Sequence, residues 1–201
     1  IHLDNFKDHK IKVIVKTIKN SKSNKQINIQ LLKDAQMLKG LKHKNLVSLI
    51  GIVEYDDEDY LNENNNINEK ENNFINKKSS KRMIMCLFSS ADLGNLKLYL
   101  IEASKKEKIQ ITNQEKFYLI LQLLKACNYL HSKRLIHKDI AARNCWLDSS
   151  NFQLKLGDNA LSRDLFNKDY HFYYDRKQPI CWMAYESLVS FNLFNSKTDI
   201  W

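Results

Sequence analysis

A helix-forming stretch feeds directly into two segments dense in charged and amide side chains, LIHKDIAARNCWLD at 135–148 and FQLKLGDNALSRDL at 152–165. Thr112 followed three residues later by Glu115 has the spacing of a capping box, and it leads into Phe117, Ile120, Leu121, Leu124 and Leu130. The predicted helix ends near His131. The residues able to carry chemistry concentrate just after it.

Upstream, IKVIVKTI at 11–18 is a β-branched run and predicts a strand with Lys16 near its end. Ile27, Leu31, Leu32, Ala35 and Leu38 are spaced for one face of a helix over 27–41, with Gly40 as its C-terminal glycine. LVSLIGIVEY at 46–55 and MIMCLF at 83–88 predict two more strands. Between them, residues 56–82 are rich in asparagine and charge, and are expected to form a disordered loop inserted between hairpin strands. Loop-closure entropy grows only logarithmically with length, so the insertion need not break the hairpin.

At 43% hydrophobic and 27% charged, the 201 residues hold enough apolar mass for a core. No run reaches the roughly 18 apolar residues of a membrane span, and the N-terminus has no secretion-signal pattern. Cys86, Cys127, Cys145 and Cys181 are too scattered for a zinc site and are expected to be reduced and mostly buried, which suits the cytoplasm. The net charge of +9 is dispersed: residues 1–55 carry eleven lysines and four acids, whereas 56–82 carry seven acids and five bases. A solvated surface accounts for it, and no nucleic-acid partner is expected.

IHKDIAARN at 136–144 resembles the catalytic loop of protein kinases, HRDLxxxxN, with the AAR of the tyrosine-specific branch. VIVK ending at Lys16 stands where kinases have VAIK, and WMAYES at 182–187 where tyrosine kinases have WMAPES. The resemblance implies Asp139 as acceptor of the substrate hydroxyl proton, Asn144 and Asp158 as magnesium ligands, and Lys16 at the nucleotide phosphates. It then narrows. LGDNALSRDLF, WMAYESLV and LGNLKLYL are similar to the Ryk/Derailed family of Wnt-binding, receptor tyrosine-kinase-like proteins, in which the magnesium motif DFG reads DNA.

Several departures from the kinase pattern bear on activity. Asn159 and Ala160 replace the Phe and Gly of DFG, which puts an amide at an apolar position and stiffens the turn behind Asp158. By the family register Ile14 replaces the small adenine-roof residue, Trp146 the adenine floor, and Phe88 is a bulky gatekeeper before the hinge Ser89, Ser90 and Ala91. Two enlarged walls leave little room for a planar base. Asp34 stands where the glutamate partner of the lysine belongs, one carbon–carbon bond shorter in reach. Lys138 replaces the HRD arginine and offers a point charge in place of a planar fork. Tyr170, Tyr173 and Tyr174 lie between Asp158 and Glu186, where loop phosphorylation would be regulatory.

The expected fold is therefore α+β, a two-lobed protein-kinase-like fold truncated at both ends. A partial N-lobe spans 1–91, with the insertion at 56–82, and a partial C-lobe spans 92–201. No GxGxxG precedes Lys16, and Thr198-Asp199-Ile200-Trp201 matches the DxW that opens a later helix. The resemblance implies a pseudokinase scaffold on the cytoplasmic side of the plasma membrane, within a single-pass receptor that binds Wnt through an ectodomain outside this chain. Its partners would be signalling proteins, a partner tyrosine kinase among them. The alternative is an active tyrosine kinase, and only that reading calls for ATP and magnesium; otherwise no cofactor is expected.

Overall fold

Alternating β-branched residues build the first strand, β1 (Val13–Thr17), with Ile14 and Lys16 half-buried on one face while Val13 and Val15 are more exposed on the other. The structure, a computed structural model, describes residues 13–17, 39–56, 82–105, 111–157, 163, 165–174, 176–190 and 193–201. The helix expected over 27–41 falls outside the described residues as far as residue 38, and so does the insertion between Asp56 and Arg82. The described chain divides into two compact units, one holding β1 and the residues 49–88, the other holding 38–48 and 89–201.

In the first unit, β2 (Leu49–Asp56) and β3 (Arg82–Ser89) pair antiparallel from Leu49 opposite Phe88 to Asp56 opposite Arg82. The ladder is in register right up to the two residues that flank the insertion, as a hairpin requires. A bulge interrupts it between Leu49 and Gly51. The sheet order is β1-β3-β2, and Cys86 and Phe88, two residues apart on the central strand, are buried on one face.

The second unit begins with β4 (Gly94–Asn95), α1 (Leu96–Lys105) and α2 (Asn113–Ser132). There follow β5 (Cys145–Asp148) and β6 (Gln153–Leu156), which complete a three-stranded sheet in the order β4-β5-β6. A hairpin of β7 (His171–Tyr173) and β8 (Arg176–Gln178) and a short α3 (Tyr185–Val189) lie beyond. The capping box is formed as expected: the Thr112 side chain accepts from the Glu115 amide, and the Glu115 carboxylate accepts from the Thr112 amide at 2.7 Å.

The core joins Leu119, Ala126, Cys127 and Leu130 of α2 to Cys145, Leu147, Leu154 and Leu156 of the sheet. Of the five apolar positions that announce this helix, only Leu130 turns inward. Phe117, Ile120, Leu121 and Leu124 are 68%, 51%, 55% and 44% exposed. The helix carries apolar residues on more than one face, so spacing alone does not pick the buried one. A polar knot does. Asn45, fully buried, donates from Nδ2 to Gln122 Oε1 and to the Leu154 carbonyl, both at 2.8 Å. Gln122 Oε1 also accepts from the Leu154 amide at 2.9 Å. This knot fixes α2 against β6 and holds residues 39–48 in the second unit, where the Val47 amide also donates to the Leu156 carbonyl and the Leu156 amide to the Asn45 carbonyl, both at 2.9 Å.

Cys86, Cys127 and Cys145 are buried and free, while Cys181 is exposed. Burial pushes the Cys127 thiol up to about 11 and the Cys145 thiol up to about 12, so both stay protonated at mild alkaline pH. Native thiol titration at pH 8 should modify Cys181 alone, and all four cysteines only after denaturation. Asn45→Ala strips Gln122 and the Leu154 carbonyl of a buried donor. Urea unfolding should show a loss of about 2–3 kcal/mol at unchanged m-value.

Candidate active site

The loop after α2 is held from below by one buried carboxylate. Asp199 accepts from the His137 amide at 2.8 Å, from the Lys138 amide at 2.7 Å and from His131 Nε2 at 2.9 Å. These bonds hold Lys138 at φ +70°, a left-handed conformation that a non-glycine residue adopts only when its surroundings enforce it. His137 then points its ring across the loop: Nδ1 accepts from the Asp139 amide at 3.3 Å, and Nε2 donates to the Gly157 carbonyl at 2.8 Å. The Gly157 amide in turn donates to the Asn144 carbonyl at 2.8 Å. Asn144, fully buried, donates from Nδ2 to the Asp139 carbonyl at 2.6 Å.

The pinned loop delivers Asp139 into a constellation that leaves neither carboxylate oxygen uncommitted. Arg143 Nη2 donates to Oδ1, and the Tyr170 hydroxyl donates to Oδ2 at 2.6 Å. Asp139 and Arg143 are both 1% exposed. The guanidinium also donates from Nε to the Tyr170 hydroxyl at 3.0 Å and from Nη1 to Asp169 Oδ2 at 3.4 Å. Its plane lies 4.1 Å from the Trp182 ring centre and 4.8 Å from that of Tyr170. Lys97 of α1 donates to the same Asp169 oxygen at 2.5 Å, with its ammonium 4.9 Å from the Phe166 ring. A tyrosine hydroxyl bonded to a loop aspartate is the geometry an acceptor substrate would take, here supplied by the chain itself.

A family model described as protein tyrosine and serine/threonine kinase matches residues 2–201. The chain belongs to that kinase family. Within it the chain is of the Ryk/Derailed type. It is 36% identical over 193 residues to human tyrosine-protein kinase RYK, covering 93% of this chain and 27% of that protein. It is 33% identical over 190 residues to the Drosophila melanogaster tyrosine-protein kinase Drl, covering 94% and 27%. Human inactive tyrosine-protein kinase 7 is 28% identical over 193 residues, covering 94% and 15%. The chain thus spans about a quarter or less of the length of these kinase relatives.

The kinase loop brings Asp139, Asn144 and Tyr170 together in the second unit. Asn144 has its amide nitrogen on the Asp139 carbonyl, so its oxygen is the atom it would offer to magnesium. Asp158, the other expected metal ligand, and Asp34 fall outside the described residues. Lys16, Ile14 and Phe88 belong to the first unit, the first two half-buried and Phe88 1% exposed. Trp146 is half-buried on β5 opposite Asn95 and Lys155, with its indole nitrogen buried and without a hydrogen bond among the described residues. Beside it, Lys155 Nζ donates to Asp148 Oδ2 at 2.9 Å and to the Ser90 carbonyl at 3.2 Å. The bond from Lys155 holds the Asp148 carboxyl below its usual range. Asp92, two residues after Ser90, is likewise lowered by the Ser149 hydroxyl and amide it binds.

The three loop tyrosines are not equivalent. Tyr170 is buried at 4% exposure, with its hydroxyl on Asp139. Tyr173 is half-buried and donates to the Leu188 carbonyl at 2.7 Å, whereas Tyr174 is 70% exposed. Sequence reasoning missed Arg143, Asp169 and Lys97 as members of this network. Arg143 was legible as the last residue of AAR, but Asp169 and Lys97 meet only through the fold. Arg143→Ala should cost about 3–5 kcal/mol in urea unfolding, because it strands a buried carboxylate. Adding Asp139→Asn should recover part of that loss, and Arg143→Lys should fall between, lacking the fork that serves three oxygens.

Proposed function

We propose that this kinase domain is a pseudokinase: the signalling module of a Ryk-type receptor, working at the cytoplasmic face of the plasma membrane through docking and conformation, with little or no phosphoryl transfer. The observation that carries this reading is the closed Asp139 site. A base must meet the substrate hydroxyl within hydrogen-bond reach. Here Oδ1 is engaged by Arg143 and Oδ2 by Tyr170, and the tyrosine is itself held by Arg143. The bulky Ile14 and Trp146, at positions where kinases keep smaller adenine contacts, support the same reading. So does the likeness to a relative whose name includes "inactive". In this account Tyr174, exposed on the β7–β8 hairpin, is the tyrosine that a partner kinase would phosphorylate, and Wnt would act through an ectodomain outside this chain.

The second reading, an active tyrosine kinase, is favoured by the survival of Lys16, Asp139, Asn144 and Asp158. Bound ATP and magnesium would supply the phosphoryl group and neutralise its charge. Asp139 would take the proton of the acceptor hydroxyl, and Tyr170 would first have to leave it.

Thermal unfolding of the protein under ATP and magnesium titration separates the two readings. No saturable rise in melting temperature up to millimolar nucleotide is expected, and a saturable rise would overturn the inactive reading. Tyr170→Phe removes the hydroxyl from Asp139, and this variant should still incorporate no phosphate. If it does incorporate phosphate, and Asp139→Asn abolishes the signal, the domain is an enzyme restrained by its own tyrosine.

A further inference from the structure

Residues 39–44 and the C-terminal half of α2 together form a cationic face within the second unit. Lys39, Lys42 and Lys44 are exposed on the loop, and Lys125, Lys133 and Arg134 are exposed on the helix and the turn that ends it. No acidic residue occurs from Ala35 through Val53 or from Lys116 through Lys138. The two segments are stapled by aromatic rings: His43 stacks on Tyr129 with centroids 4.9 Å apart, and the Lys42 amide donates to the Tyr129 hydroxyl at 3.2 Å. The Lys133 ammonium lies 5.8 Å from the same tyrosine ring.

Three other cations of this unit are matched to carboxylates: Lys97 with Asp169, Arg143 with Asp139 and Lys155 with Asp148. None of the six cations on this face takes part in an ion pair among the described residues. Like charges crowd there instead. The His43 ring is held below its ordinary pKa by burial and then by Lys44 and Lys125. Attraction to the helix dipole accounts for Lys133 and Arg134 at the end of α2, but not for Lys125 in mid-helix or for the loop lysines.

We propose that this face adsorbs the domain onto a lipid surface rich in anionic phosphate headgroups. Five of the six cations are lysines, point charges on flexible stems that suit a diffuse, mobile anionic field. A phosphopeptide would call for arginine forks and a recess for its side chain. The two described cavities lie instead against residues 196–201. The inference extends the receptor reading to a particular surface. It is separable from that reading's enzymology, because vesicle binding stands or falls whatever the nucleotide titration gives.

The test is co-sedimentation of the purified protein with vesicles of phosphatidylcholine alone or mixed with phosphatidylserine. Binding is expected only to the mixed vesicles and should weaken steeply with salt. Each lysine near such a surface contributes about fivefold, so Lys42→Ala, Lys44→Ala and Lys125→Ala together should weaken binding about 100-fold. A control of equal charge, Lys116→Ala, Lys177→Ala and Lys197→Ala, should weaken it far less. All six side chains are exposed, and matching circular dichroism spectra will show that both variants fold. The proposal is overturned if the mixed vesicles are not bound, or if the control loses as much as the patch variant. It is also overturned if polyglutamate is bound more tightly than the vesicles, which would make the surface a docking site for acidic protein.

Discussion

Arg143 is the side chain on which the candidate site depends. It is the largest fully buried side chain of the described residues, and a guanidinium can be buried only if each of its nitrogens finds a partner. It spends them on Asp139, Tyr170 and Asp169 while its faces rest on Trp182 and Tyr170. Loop, activation-segment tyrosine and the turn at Trp182 are therefore energetically one object. Moving any of them uncovers a charge, so the arrangement that shields Asp139 is also the one that keeps the loop folded.

The family-level architecture was legible because its signals are local. One β-branched run and two apolar runs marked β1, β2 and β3, and the capping box marked the start of α2. The order of VIVK, IHKDIAARN and WMAYES gave the kinase identity. What was not legible depends on distant partners. The apolar stripe of Phe117, Ile120, Leu121 and Leu124 is a real helical signal, yet the buried face is chosen by Gln122 meeting Asn45 and Leu154. The sequence does not separate Tyr170 from Tyr173 and Tyr174; it is buried because Asp139 and Arg143 lie opposite it. Nothing in the local sequence pairs Lys97 with Asp169.

The substitution of lysine for arginine at 138 illustrates how a motif can lose one role and keep another. The backbone amide of Lys138 still donates to Asp199, and that bond is indifferent to the side chain. The ammonium is turned over the Phe194 ring, 5.1 Å from its centre. The architectural half of the motif lives in the main chain and survives. The half that would grip a phosphorylated loop through a planar fork lives in the side chain and is gone.

Gly157 ties these threads to the segment that follows it. Its carbonyl is claimed by His137 and its amide donates to Asn144, so both of its peptide groups are moored before the chain reaches Asp158. Detaching the Tyr170 hydroxyl from Asp139 would break none of these bonds, so the moorings of the loop are independent of the tyrosine that closes it.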